Sequence, residues 1–315
     1  MTTQQITTAV PARRRAHWRT AGSLAVVLTA VFLAHRHWPV LESGALRLAV
    51  ADQGWLWVGV TTTVLTWGCA ALAQQGAVAR TLPVGRLVAA QFAASAANHV
   101  LPAGLGASAV NLRFLMRCGL PAARAATALG VKAAASAVAR GVLIAALALA
   151  CPGVLQVPGV PPAALAVLPV VAVGVTVLLR GPLGPRCGRA LAAVRADIRE
   201  VHARPSRAVA LWGGSLAFAL LHAATLIAVT QAVALPLPPA QVALLYLAAS
   251  SAAALLPTPG GLGSLDAVLA LALTAAGAPA AAAASAVLGY RLLTVWLPLV
   301  PGLLVLGVLV RRRAL

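Results

Sequence analysis

Long apolar stretches, separated by short polar ones, make up most of the 315-residue chain. About 20 consecutive apolar residues are enough for an α-helix to cross the hydrocarbon core of a bilayer. The stretches lack the alternation of apolar and polar residues that marks a membrane barrel, so we expect spanning α-helices. Six stretches have a suitable length, at about residues 18–35, 54–76, 122–150, 162–180, 208–233 and 280–310.

Two further apolar regions, about 84–118 and 238–276, are each interrupted near the middle by proline and glycine. Proline lacks a backbone donor and glycine adopts non-helical angles, so a helix opens where they cluster. The loops that flank each region fall on one side of the membrane by their charge, which predicts two re-entrant helical hairpins. The predicted break residues are Pro102, Gly104 and Gly106 in the first region and Pro257, Pro259, Gly260, Gly261 and Gly263 in the second.

The two breaks share one pattern, Pro-x-Gly-Leu-Gly, and lie about half the chain length apart. This spacing predicts a single transmembrane domain, residues 1–315, built from an inverted repeat of residues 1–150 and 151–315. Interrupted helices at corresponding positions of two halves point to the substrate site of a transporter. The alternative is that proline and glycine only kink tightly packed helices.

Composition supports the membrane assignment, since 61% of the residues are hydrophobic and only 9% are charged. A soluble domain needs a far larger share of charged residues. The net charge of +19 comes mainly from arginines at both termini and in the central polar region around residues 180–207. This positive-inside pattern predicts a multi-pass membrane protein with both termini in the cytoplasm, and it explains the basicity without nucleic acid. Within the central region, residues 186–201 carry an apolar stripe typical of an interfacial helix.

Charged residues inside predicted spans are costly to bury and are therefore candidates for function. Lys132, Arg140 and Arg291 lie inside the spans, and Asp266 follows the second break by one turn. One acid facing three bases favours an anionic substrate such as a lipid phosphate. The alternative for Arg140 and Arg291 is an ion pair or a bond to carbonyls of a broken helix, with Asp266 as the natural partner of Arg291.

Further candidates lie next to the first break. Arg113 and Arg117 are placed to bind a phosphate at the cytoplasmic side, or else to anchor the helix in the interface. Asn98 either satisfies backbone groups freed by Pro102 or contacts the substrate. Of the other polar residues, we expect His99 and His222 to be polar fillers, which occupy space among the helices without binding a ligand. We expect Tyr246 to be an interface or packing residue.

Signals of catalysis are absent from the 315 residues. The sequence contains no GxSxG, Walker or HExxH motif, and no two carboxylates that would work as a pair. The four cysteines are scattered and form no CxxC pair. We therefore expect no catalytic residue, no metal site and no cofactor.

The motifs around the two breaks resemble the signatures of a known family. Asn98-x-x-x-Pro102-x-Gly104-x-Gly106, followed by Asn111-x-Arg113, is similar to the first signature of the lysylphosphatidylglycerol synthase transmembrane-domain family. The run from Pro257 to Asp266, followed by Tyr290-Arg291 and Pro298, is similar to the second, and the likeness covers nearly the whole chain. The resemblance adds Tyr290 to the candidate substrate residues.

The family includes the flippase half of the multiple peptide resistance factor, which moves aminoacylated phosphatidylglycerol between leaflets. Asp266 stands where the family usually has Glu, and the residues after Arg140 lack the acid found in some members. The aminoacyl-transferase domain of bifunctional members is not found in these residues. The resemblance thus implies a stand-alone flippase that is not an enzyme and binds anionic membrane lipids.

Two alternatives of different classes remain at this point. The first is a membrane scaffold, or a partner subunit of a separately encoded lipid- or glycan-transferase. The second is a lipid-phosphate enzyme, against which the lack of a nucleophile and of paired acids counts.

Overall fold

The computed structural model describes residues 46–100, 105–150, 203–254 and 263–312, together with Glu42 and Arg199. Within these ranges the chain forms α-helices and one π-helical turn, and no β-strand. The α-helices are α1 (Gln53–Gly76), α2 (Val84–Val100), α3 (Leu105–Arg117), α4 (Ala122–Ala150), α5 (Pro205–Ala232), α6 (Pro239–Ala253), α7 (Ser264–Ala275), α8 (Ala280–Arg291) and α9 (Leu297–Arg311).

Four of the six predicted spans coincide with helices that are long and apolar enough to cross a membrane. These are α1, α4, α5 and the continuous segment Ala280–Arg311, which holds α8, the π turn and α9. Their bounds lie within about three residues of the predicted ones. The predicted spans 18–35 and 162–180, and the predicted interfacial helix 186–201 apart from Arg199, fall outside the described residues.

The ends of these helices follow from local sequence. Asp52 precedes α1 and accepts a hydrogen bond from the N–H of Trp55 at 3.1 Å, which satisfies one of the free donors of the first turn. Proline stands at the first position of α5 and of α6, where its missing N–H costs nothing. At the other end of α1, the Arg207 guanidinium donates to the carbonyl oxygens of Gln75 and Val78. A cation here also complements the negative end of the helix dipole.

Each predicted hairpin region contains two short helices that pack against each other. In the first region these are α2 and α3, and in the second α6 and α7. The proline and glycine residues at 102, 104, 257 and 259–261 lie outside the described residues. Gly106, predicted as part of the break, lies instead in the first turn of α3, where a side chain would overlap the Ala97 carbonyl of α2.

Gly263 does mark a break, since it directly precedes α7 with φ +82°. Residues with a side chain rarely adopt this conformation, so glycine is required at this helix start. Asp266 accepts a hydrogen bond from the Gly263 N–H at 2.8 Å and so ties the break to the first turn of α7.

Buried apolar side chains form two main clusters, each drawn mainly from one half of the chain. The larger cluster lies among α5, α6, α7 and α8, and includes Leu226, Leu247 and Leu269. The second lies among α1, α2, α3 and α4, and is completed by Leu309 of α9. Contacts of α1 with α5 and of α2 with α9 join the two halves.

The interface between α1 and α5 depends on small residues. Gly214 of α5 lies so close to α1 that a Cβ there would meet the backbone nitrogen of Ala73 at 2.6 Å and the carbonyl oxygen of Cys69 at 2.9 Å. Small residues allow such close backbone approach between membrane helices, where packing rather than water exclusion drives association.

The last long helix is interrupted by a π-helical turn, Leu292–Trp296, directly after Arg291. Proline at position 298 cannot donate a hydrogen bond, and its ring clashes with the carbonyl group four residues earlier in a regular α-helix. The wider π turn accommodates one extra residue at this point.

Candidate functional site

A cavity of about 730 Å³ lies among the helices. Side chains from α1 to α8 and from the π turn line it, so both halves of the chain contribute. Its wall is unusually polar for the interior of so apolar a protein. The polar and charged lining residues are Thr63, Thr66, Gln91, Ser95, Asn98, His99, Asn111, Lys132, Ser136, Arg140, Ser215, His222, Tyr246, Ser250, Tyr290, Arg291 and Thr294.

Five of the residues predicted to contact a substrate line this one cavity. Three are the cations Lys132, Arg140 and Arg291, and the other two are Asn98 and Tyr290. Residues far apart in sequence therefore meet around a single space of ligand size.

The first polar cluster of the wall joins α2, α3 and α4. Lys132 Nζ donates to Gln91 Oε1 at 3.0 Å, and Gln91 Nε2 donates to Asn111 Oδ1 at 2.6 Å. Asn111 Nδ2 then donates to the carbonyl oxygen of Ala107 at 2.9 Å. This chain of hydrogen bonds holds the Lys132 ammonium at the cavity wall with a neutral acceptor rather than a carboxylate.

Gln91 is the central member of that chain, since it both accepts and donates. We expect Gln91→Leu to lower the free energy of unfolding by about 1–3 kcal/mol, because Lys132 loses its acceptor and Asn111 its donor. Thermal unfolding of the purified protein in detergent measures this change. Gln53→Leu, at an exposed position at the start of α1, is the matched control, and an equal effect of both variants would contradict the role of Gln91.

The second cluster is the predicted pair of Asp266 and Arg291, which is present. Arg291 Nε contacts Asp266 Oδ1, and the arginine is buried. The other carboxylate oxygen of Asp266 accepts from Gly263, as described above. Asp266 does not itself line the cavity, so it connects the second break to a cationic side chain that does.

The third cluster was not expected from the sequence. Tyr290 OH donates to Tyr246 OH at 3.0 Å, and His222 Nδ1 lies 3.1 Å from the same Tyr290 oxygen. The Phe218 ring packs edge-on against the His222 ring, with 4.6 Å between the two ring centroids. Tyr246 is therefore a buried residue that packs in the larger core cluster, as predicted, and its hydroxyl group also takes part in the hydrogen bonds of the wall. His222, predicted as a filler, also belongs to this wall.

Arg113 and Arg117 do not reach the cavity. Both are exposed on α3, on the other side from the buried Asn111, Phe114 and Leu115. Their position leaves interfacial anchoring or contact with headgroups outside the cavity as their role.

Two atoms on the wall lack the partners that buried polar atoms usually have. They are Nε of Arg140 and Nδ1 of His99, neither of which has a hydrogen-bond partner among the described residues. Both atoms belong to residues that line the cavity.

The chain matches a protein family over most of its length. The family described as lysylphosphatidylglycerol synthase TM region matches residues 14–302, which is nearly the whole chain. No curated protein matches the chain in sequence.

Proposed function

Because the chain belongs to the lysylphosphatidylglycerol synthase transmembrane family, we propose that it is a lipid flippase. In this proposal the protein moves an anionic phospholipid or a lipid phosphate between leaflets of the bacterial cytoplasmic membrane, without chemical change to the lipid. The observation that carries the proposal is the cavity with three cationic side chains in the interior of a multi-pass membrane protein. Buried cations in a membrane protein are costly, which makes them candidates for function.

The position of the cavity also supports the proposal. Substrate sites of inverted-repeat transporters lie between the repeats, near interrupted helices. Here both halves line the cavity, and Asp266 connects it to the break before α7. We propose six spans, two re-entrant hairpins formed by α2–α3 and α6–α7, and cytoplasmic termini, with the site exposed alternately to each side.

The short helices support the re-entrant arrangement. α3, α6 and α7 have 13, 15 and 12 residues, fewer than the number required to cross the hydrocarbon core. α6 and α7 pack against each other, as do α2 and α3, which fits helices that enter and leave on the same side.

Reconstitution tests the proposal directly. Purified full-length protein in liposomes is expected to move a fluorescent anionic phospholipid to the other leaflet at least about tenfold faster than protein-free liposomes do. The Lys132→Gln variant should be slower, because the headgroup loses one of its cationic contacts. Addition of a membrane-impermeant quencher measures the exposed fraction with time.

A different result would favour the scaffold alternative. If the folded protein moves no lipid, yet co-purifies with a lipid- or glycan-transferase, the flippase assignment is wrong. Mass spectrometry of lipids retained after gentle detergent extraction identifies the candidate substrates for the same assay.

A further inference from the structure

The charges that line the cavity do not balance. Arg291 has the carboxylate of Asp266 beside it, but Lys132 and Arg140 have none among the described residues. No Asp or Glu of the described ranges lines the cavity. The wall therefore carries two cations that no acid of these ranges compensates.

The apolar segments outside the described residues also supply no acid that could compensate Lys132 and Arg140. The chain has only five acids. Glu42 is exposed, Asp52 caps the start of α1, and Asp197 and Glu200 lie in the arginine-rich polar region. The apolar stretches outside the described ranges contain neither Asp nor Glu. An anionic ligand in the cavity would supply the missing negative charge.

The two cations are arranged on one helix. Lys132, Ser136 and Arg140 occur at every fourth position of α4 and all line the cavity. At the rise of an α-helix, the outer two Cα atoms lie about 12 Å apart. Side chains as long as Lys and Arg can converge on one group opposite Ser136. The donors are the guanidinium of Arg140, whose Nε has no hydrogen-bond partner among the described residues, and the Lys132 ammonium, whose acceptor is neutral.

We propose that the transported lipid carries a phosphomonoester or diphosphate headgroup, with at least two negative charges and no amino group. Such a dianion compensates both Lys132 and Arg140, whereas a phosphodiester monoanion compensates only one. An aminoacylated phospholipid brings a further cation, for which the described residues supply no carboxylate at the cavity wall. Lys132 and Arg140 are then the residues that determine headgroup specificity, and this assignment rests on the proposed flippase function.

Lipid titrations of the full-length protein in detergent test the assignment. Phosphatidate, phosphatidylglycerol and lysyl-phosphatidylglycerol with identical acyl chains are compared by the rise in the temperature of unfolding. Phosphatidate is expected to bind at least about tenfold more tightly than either of the others. Its advantage should decrease between pH 8 and pH 5, as the phosphomonoester takes up a proton with a second pKa of about 6.

Two variants locate the effect. Arg140→Gln should remove most of the preference for phosphatidate, while Arg124→Gln, at an exposed position eight residues before Lys132 on the same helix, should retain it. Ser136→Glu places a carboxylate between the two cations and should weaken phosphatidate binding by at least about tenfold. Because Ser136→Glu adds an opposite charge to the cationic wall, it tests the assignment even if Arg140→Gln fails to fold.

The outcomes separate the two levels of the proposal. Equal or tighter binding of lysyl-phosphatidylglycerol, or an unchanged preference in both cavity variants, would overturn the headgroup assignment. Equal stabilisation by soluble glycerol 3-phosphate would overturn the assignment to a lipid. If the protein translocates lipids without any charge preference, only the headgroup assignment is wrong. If it neither binds nor translocates lipids, the proposed flippase function is wrong as well.

Discussion

Asp266→Ala is expected to abolish lipid translocation and to lower the free energy of unfolding by about 1–3 kcal/mol. The Asp266 carboxylate contacts the buried Arg291 guanidinium and accepts from the Gly263 N–H. Its removal leaves a buried cation without its carboxylate and frees a backbone donor at the break. Both losses alter the cavity wall, because Arg291 lines it.

Related variants separate charge from structure. Asp266→Glu keeps the charge with a longer reach, and we expect it to retain translocation. Asp266→Asn keeps an acceptor for Gly263 but loses the charge that Arg291 requires, so it should fold and fail to transport. Arg291→Ala should also abolish transport. Normal transport by the alanine variants of both Asp266 and Arg291 would disprove the role of the pair.

Asp52→Ala is the matched control for Asp266→Ala. Asp52 also accepts a backbone hydrogen bond at a helix start, but it lies outside the cavity. Loss of such a cap costs about 1 kcal/mol. The control should therefore be slightly less stable and still translocate lipid in the liposome assay.

Gly214→Ala is expected to destabilise the protein by about 1–3 kcal/mol or more. The new Cβ would lie 2.6 Å from the backbone nitrogen of Ala73, so α1 and α5 must separate. This displacement also moves Ser215 and Thr66, which line the cavity on the two helices. Thermal unfolding and the liposome assay should both register the change.

The neighbouring residue provides the control. Nothing lies within 4 Å of a Cβ placed on Gly213. Gly213→Ala should be neutral, or stabilising by up to about 1 kcal/mol, because alanine favours the helix more than glycine does. Equal destabilisation by both substitutions would show that the close approach of the two helices is not the cause.

The sequence predicted the parts of this fold that depend on local pattern. Long apolar stretches identified α1, α4, α5 and the segment that ends at Arg311, because the bilayer sets their length and composition. The pairing of Asp266 with Arg291 was also predictable. An acid in so apolar a chain needs a partner, and the sequence offers few cations at membrane depth.

Other parts of the site depend on tertiary packing that a single sequence does not reveal. Gln91 meets Lys132 across 41 positions, and His222 meets Tyr290 across 68. An uncharged Gln or Tyr in an apolar stretch gives no sign of its partner, and its burial depends on which helix faces are in contact. Likewise, the exclusion of Arg113 and Arg117 from the cavity follows from the side of α3 that packs inward.

The extra residue in the π turn has a consequence for the orientation of the site. Each residue of an α-helix advances the chain by about 100° around the axis, so one inserted residue rotates everything beyond it by that angle. Tyr290 and Arg291 contact the cavity before the turn, whereas Gly302 packs against Ala96 of α2 after it. A deletion of one residue from Leu292–Trp296 would restore a regular helix and twist these two surfaces out of alignment. The turn thus sets the angle between the surface of the span that faces the cavity and the surface that packs against α2.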